Sequence, residues 1–154
     1  ITLSILAHET SSGDISRTLR ATPVSYAVSL ADGTGANQAQ VVWSDSHTIP
    51  AGGDYSPSGV GFASFQDDRG TVSFSSVKVF YLRNTGSVSL AIEGDAWPEL
   101  GLGASATVHP GATLFFARPD AAGFATAGRS LTVSNLSGSD GSVDIVLIGE
   151  GTVT

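Results

Sequence analysis

Asp45 and His47 stand two residues apart, just after Trp43, in the stretch Gly33-Thr-Gly-Ala-Asn-Gln-Ala-Gln-Val-Val-Trp-Ser-Asp-Ser-His-Thr-Ile49. A carboxylate that orients an imidazole, which in turn takes a proton from a nucleophile, is the arrangement of a hydrolytic triad. The spacing argues against it. In an extended segment residues i and i+2 point the same way but are displaced along the strand, and no serine of the chain stands in a Gly-x-Ser-x-Gly elbow. We therefore expect no catalytic residues and no enzyme. Asp32-Gly-Thr-Gly-Ala-Asn37 reads as a turn with positive-φ positions, Gln38–Trp43 as the strand it feeds, and Asp45 and His47 as polar residues at that strand's exit.

The remaining chemistry-bearing residues are as sparse. His8, His47 and His109 fall in separate segments, without the His-x-His or His-Glu-x-x-His spacing that preorganises a metal. Gly138-Ser-Asp-Gly-Ser-Val-Asp144 offers oxygen ligands but lacks the 12-residue loop with a terminal bidentate glutamate that calcium favours, so it reads as a hairpin turn. Gly101-Leu-Gly-Ala-Ser-Ala106 has glycines for a dinucleotide fingerprint, yet no helical pattern follows to place a dipole under a pyrophosphate. The expectation is no metal and no cofactor. Asn135-Leu-Ser137 matches a glycosylation acceptor, a short match that carries meaning only in a secretory pathway. Trp43 follows two valines and belongs in a core. Trp97, beside Pro98, suits a loop, where an indole can anchor a partner or stack on a sugar.

Of 154 residues, 7 are basic and 14 acidic, and Lys78 is the sole lysine. With a net charge of −7, no basic stripe exists to neutralise a phosphate backbone, which excludes nucleic acid as an expected partner. No apolar run approaches the roughly 20 residues of a membrane helix and no signal-peptide pattern opens the chain, so a soluble protein is expected, with no membrane partner. The first residue, Ile1, is not one expected to follow routine removal of an initiator methionine, which points to processing or internal numbering. There is no cysteine. Stability must therefore come from packing, strand pairing or association.

These residues have to be positioned by strands. Apolar positions alternate at Ile1, Leu3 and Ile5, at Val24, Tyr26, Val28 and Leu30, and at Val88, Leu90 and Ile92, with the period of two of a half-buried strand. Val77–Leu82, Thr113–Ala117 and Ile145–Ile148 are apolar on both faces, which predicts central, buried strands. Turn signals separate them at Asp32-Gly33, Gly52-Gly53, Asn84-Thr-Gly86, Pro110-Gly111 and Gly138–Gly141, and Ala51–Gly61 reads as a loop. No helical stripe is present. The prediction is an all-β, antiparallel β-sandwich of roughly eight or more strands, of jelly-roll type, as a single domain over residues 1–154. Residues 1–7 would form an edge strand or arm that pairs with a neighbour.

Gly33-Thr-Gly-Ala-Asn-Gln-Ala39, Val42-Trp-Ser-Asp45, Val77-Lys-Val-Phe-Tyr-Leu-Arg-Asn-Thr85, Pro110-Gly111, Pro119-Asp-Ala-Ala-Gly123, Leu131-Thr-Val-Ser-Asn135 and Asp144-Ile-Val-Leu-Ile-Gly149 together give the chain a family likeness. Over about Gly33 to Gly149 it resembles small β-rich virion proteins of tailed bacteriophages, most of all the auxiliary proteins that decorate or cement a capsid. It departs from that pattern at Ser130, where an acidic residue is expected, and at Trp97-Pro-Glu-Leu100, a local addition. The resemblance implies a structural protein on the outer surface of the virion, holding the capsid by binding between subunits of the major capsid protein, and associating with its own copies as a homotrimer. A tail or fibre component is the alternative it implies, and a carbohydrate-binding β-sandwich module is the alternative the tryptophans suggest. On this reading the partner interface would use Ile1, Leu3, Ile5, Arg17, Arg20 and Trp97, and Arg69, Arg83, Arg118 and Arg129 join the arginines to test against acidic groups.

Overall fold

The computed structural model describes residues 27–58, 61–93 and 105–154 in full, and residues 2–5, 8–10, 18–20 and 24–26 as strands. Two antiparallel sheets dominate, consistent with a β-sandwich. The larger is organised by β10 (Gly70–Asn84) and β16 (Gly141–Val153), which pair antiparallel along nearly their whole length. On the far side of β16 lies β7 (Val41–Ile49), the edge strand. The opposite flank of β10 is shared by three short strands, β9 (Phe65–Asp67), β14 (Phe124–Ala125) and β13 (Thr113–Ala117).

The smaller sheet runs β12 (Ser105–Val108), β11 (Leu90–Glu93), β15 (Thr132–Ser134) and β8 (Asp54–Tyr55). Outside both sheets, β1 (Thr2–Ile5) pairs antiparallel with β4 (Val24–Ala27) of its own chain, and β2 (His8–Thr10) with β3 (Thr18–Arg20). A short parallel pair joins β5 (Ala31–Asp32) to β6 (Gln38–Ala39).

The period-two pattern explains which faces meet. On β16, Val143, Ile145 and Leu147 are buried while Ser142, Asp144, Val146 and Ile148 are only half-buried. The buried set packs with Trp43 and Ile49 of β7, Phe80 and Leu82 of β10, and Leu90, Ile92 and Val133 of the smaller sheet in one apolar cluster. Aromatic rings knit its end, with Phe65 against Trp43, Phe62 and Phe74 at centroid distances of 4.6, 5.5 and 5.5 Å. Such tilted pairs add to the burial of their area.

Three expectations change. β13 is not central: it edges the larger sheet, and Leu114–Ala117 are half-buried. A short run that is apolar on both faces satisfies a two-sided environment equally well when one side is covered only in part, as where Phe116 stacks on Phe80. The strand that follows the Gly33–Asn37 turn runs through Asp45 and His47 rather than ending before them, because Ile145 and Val143 of β16 pair across from them. Finally, the expected loop Ala51–Gly61 contributes β8, two residues that close the smaller sheet.

Candidate functional site

Asp45 and His47 lie on the same face of β7 as Trp43 and Ile49, turned toward the smaller sheet at the open side of the sandwich. Tyr55 of β8 meets them there. Its ring stacks on the His47 imidazole, centroids 3.8 Å apart and planes inclined by 7°, and its hydroxyl donates a short hydrogen bond to Asp45 Oδ2. His47 Nδ1 is 3.8 Å from that same oxygen, beyond hydrogen-bond length. The phenol therefore takes the carboxylate that a triad would use to orient its base. Burial, then the bond to Asp45 and its negative charge, raise the Tyr55 pKa above its ordinary value, because each disfavours the phenolate. What this trio can do is close a seam: it joins the edge of one sheet to the edge of the other.

Tyr55→Phe is accordingly expected to cost about 1.5 kcal/mol, the low end for a bond to a charged group, since the Asp45 side chain is 36% exposed. A raised tyrosine pKa also fixes the sign of a pH dependence. The unfolded chain loses this proton near pH 10 while the folded one keeps it, so the contribution is complete below about pH 10 and declines as pH rises beyond it. Urea titrations at pH 8 and pH 11 should show a steeper alkaline loss for the unmodified chain than for Tyr55→Phe.

The other residues singled out from sequence are dispersed. Trp43 is buried, and its indole N–H donates to Gln66 O at 3.0 Å. His109 Nδ1 contacts Ser89 Oγ at 3.1 Å, away from His47. Asp140 accepts from Ala51 N and Asp144 from Ser46 Oγ, so the Gly138–Asp144 oxygens serve the hairpin and its neighbour strand. Asn135 is fully buried, its amide nitrogen bonded to the carbonyls of Ile49, Pro50 and Ser139. Its oxygen accepts from both the N–H and the hydroxyl of Ser137. The Asn-Leu-Ser triplet is thus a folded turn, and the nitrogen that a glycan would need is engaged. Ile1, Arg17 and Trp97 lie outside the described residues. Leu3 and Ile5 fall in β1 and Arg20 in β3. Arg69 is held by Asp67 and by Val42 O, and Arg118 by Asp120 at 3.0 Å. Those guanidinium groups hold the Asp67 and Asp120 carboxyls below their usual range.

Lys78, which sequence reasoning passed over, is fully buried. It occupies a bulge in β10, between Val77 paired with Gly149 and Val79 paired with Ile148. The extra residue of a bulge re-aims a side chain, and here the ammonium reaches Asp120 O and Ala121 O, both at 2.7 Å. Glu150 Oε1 faces it at 2.9 Å as a charge pair rather than an aligned hydrogen bond. Three acceptors surround an ammonium with three protons. This cation ties the Pro119–Gly123 loop to the middle of the larger sheet and is not offered to a partner.

No family model and no curated protein matches the chain. Among solved structures, the crystal structure of PirA aligns at a TM-score of 0.42 and 20% identity, covering 68% of this chain and 92% of PirA. PirA is a Photorhabdus insect-related toxin component, β-rich and not a phage protein. With no family model or curated protein behind it and no phage protein found, the likeness to capsid-decoration proteins is withdrawn, and with it the cementing function and the tail or fibre alternative. The motifs behind that likeness prove to be strand and turn residues, such as Val77–Asn84 in β10 and the turn at Pro110-Gly111, which recur wherever a sheet scaffold is reused. The major capsid protein and a place on the virion surface entered through the same likeness and go no further. PirA is thus one solved structure to which this chain shows similarity, and it is not a virion protein.

Proposed function

We propose that the chain is a non-catalytic β-sandwich module of jelly-roll type, one domain, that works by association and joins its own copies as a homotrimer. The observation that carries this reading is the apolar surface at the sheet edge. Val42 on edge strand β7 is 45% exposed and borders a groove of about 280 Å³ lined also by the half-buried Leu30 and Ile148 and by Asp32 and Gln40. Aliphatic side chains of that kind beside an edge strand favour burial against a second surface, and a copy of the chain supplies a matching one. The non-catalytic part is supported by Tyr55, which occupies the carboxylate beside the only described acid–histidine pair. The jelly-roll topology is supported by a chain that alternates between the two sheets, from β7 to β8, back to β9 and β10, across to β11 and β12, and back again.

Val42→Asp tests the reading, because a charge in the groove opposes burial while the residue is too exposed to matter for the fold. Sedimentation velocity should show the variant shifting from trimer to monomer at micromolar concentration, with unfolding unchanged to within about 0.5 kcal/mol. An unchanged sedimentation coefficient would remove the groove from the interface.

A further inference from the structure

A closed ring of three copies sets a condition that the Val42 groove alone does not meet. Each copy in such a ring contributes two different surfaces, one to each neighbour, whereas a patch that meets its own twin makes a two-fold dimer. The groove therefore requires a counterpart elsewhere on the chain. Among the described residues three large apolar side chains are exposed, Val42 at 45%, Val153 at 38% and Leu136 at 79%. Val42 belongs to the groove, and Val153 is paired with Val72 inside the larger sheet and is the least exposed of the three. Leu136 stands at the apex of the turn between β15 and β16, and that turn is locked. Asn135, beneath it, bonds the carbonyls of Ile49, Pro50 and Ser139, Ser137 closes on Asn135 Oδ1, and Gly52 N donates to Ser137 O at 3.1 Å. An isolated exposed leucine is ordinary on a protein surface. One held clear of its own chain by a buried polar network is pre-organised for a second surface, because the turn has no further freedom to lose on association.

From this juxtaposition we infer that Leu136 of one copy inserts into the Val42 groove of the next, head to tail around the trimer, so that the occupant of the groove is a second copy of this chain. Position and charge both favour the match. Asn135 anchors the turn at Ile49, the end of β7 opposite to Val42, and about 23 Å of extended strand separates the two ends. A chain does not reach its own groove, and each copy offers one tip and one groove at opposite ends, as a head-to-tail contact needs. The groove carries Asp32 and Gln40, and a carboxylate there repels an acidic tip. The tip is uncharged: Ser137, Gly138 and Ser139 follow Leu136, Asp140 is turned back on Ala51 N at 3.1 Å, and the exposed Ser139 brings a hydroxyl that can donate to Asp32.

The inference rests on the trimer reading, and two measurements separate its failure from the failure of that reading. Light scattering at micromolar concentration should give three copies for the unmodified chain and one for Leu136→Asp, with the urea midpoint unchanged because the side chain is so exposed. The chain has no cysteine, so Gln40→Cys and Leu136→Cys placed together in one chain report the contact directly. Mild oxidation should convert that double variant to covalent dimers and trimers and to nothing larger, while either cysteine alone should cross-link far less. A Leu136→Asp variant that stays trimeric would overturn the insertion and leave the trimer standing. So would a trimeric double variant that cross-links no more than the single ones. A mass of one copy for the unmodified chain would overturn both readings together.

Discussion

Lys78→Met is expected to cost about 3–5 kcal/mol, the penalty for breaking one side of a buried charge pair, measured as a fall in the urea midpoint at constant slope. Methionine matches the length and fills the space, so the loss would report charge and hydrogen bonding rather than a cavity. The Lys78 side chain is 0% exposed and that of Glu150 17%. Without the ammonium, Glu150 keeps its charge in a mostly dry place, and the carbonyls of Asp120 and Ala121 lose their donor. Adding Glu150→Met should return at least about 1 kcal/mol, because an apolar pair avoids the stranded carboxylate. A single-variant loss below about 1 kcal/mol would show that Lys78 is not the tie between the Pro119–Gly123 loop and the sheet.

Gly149→Ala should be of comparable severity, about 3 kcal/mol or more, as overpacking against backbone that cannot yield. Gly149 sits opposite the bulged part of β10, and a Cβ there would collide with the carbonyl oxygen of Ser76 and crowd the Val77 Cα. Gly151 meets the Ser73 carbonyl oxygen in the same way. Each extra residue in β10 brings its backbone close to β16, so β16 presents no side chain at either position. Gly111 is the control: its φ is 74° and open space surrounds it, so Gly111→Ala should cost only about 1 kcal/mol of backbone strain. Thermal unfolding of the two variants side by side should separate them by at least about 4 °C, and equal midpoints would contradict the close approach of β10 and β16.

The difference between these two glycines marks where the sequence is readable. Pro110-Gly111 is a local signal, and the turn and its positive φ follow from the two residues themselves. Gly149 and Gly151 carry a hint of the same kind, since a Gly-x-Gly within an apolar strand suggests close backbone approach, but the approaching chain is β10, more than 70 residues earlier. The apolar runs Val77–Leu82 and Ile145–Ile148 predicted the two strands at the centre of the larger sheet, although in β16 one face, with Val146 and Ile148, is only half-buried. Lys78 inside that run was legible only as a polar interruption, because its burial depends on a bulge register and on three acceptors brought in by the Pro119–Gly123 loop and by β16. The candidate site shows the same limit. Asp45 and His47 were visible as a pair, yet their function in the fold is set by Tyr55, in a segment whose glycines, serine and proline read as a loop. No local pattern ties a phenol in such a segment to a carboxylate ten residues earlier.

The association reading stands or falls on mass. Multi-angle light scattering of the unmodified chain at micromolar concentration and neutral pH should give three times the 15.6 kDa of one chain, and the same value on moderate dilution. A mass of 15.6 kDa throughout would contradict it.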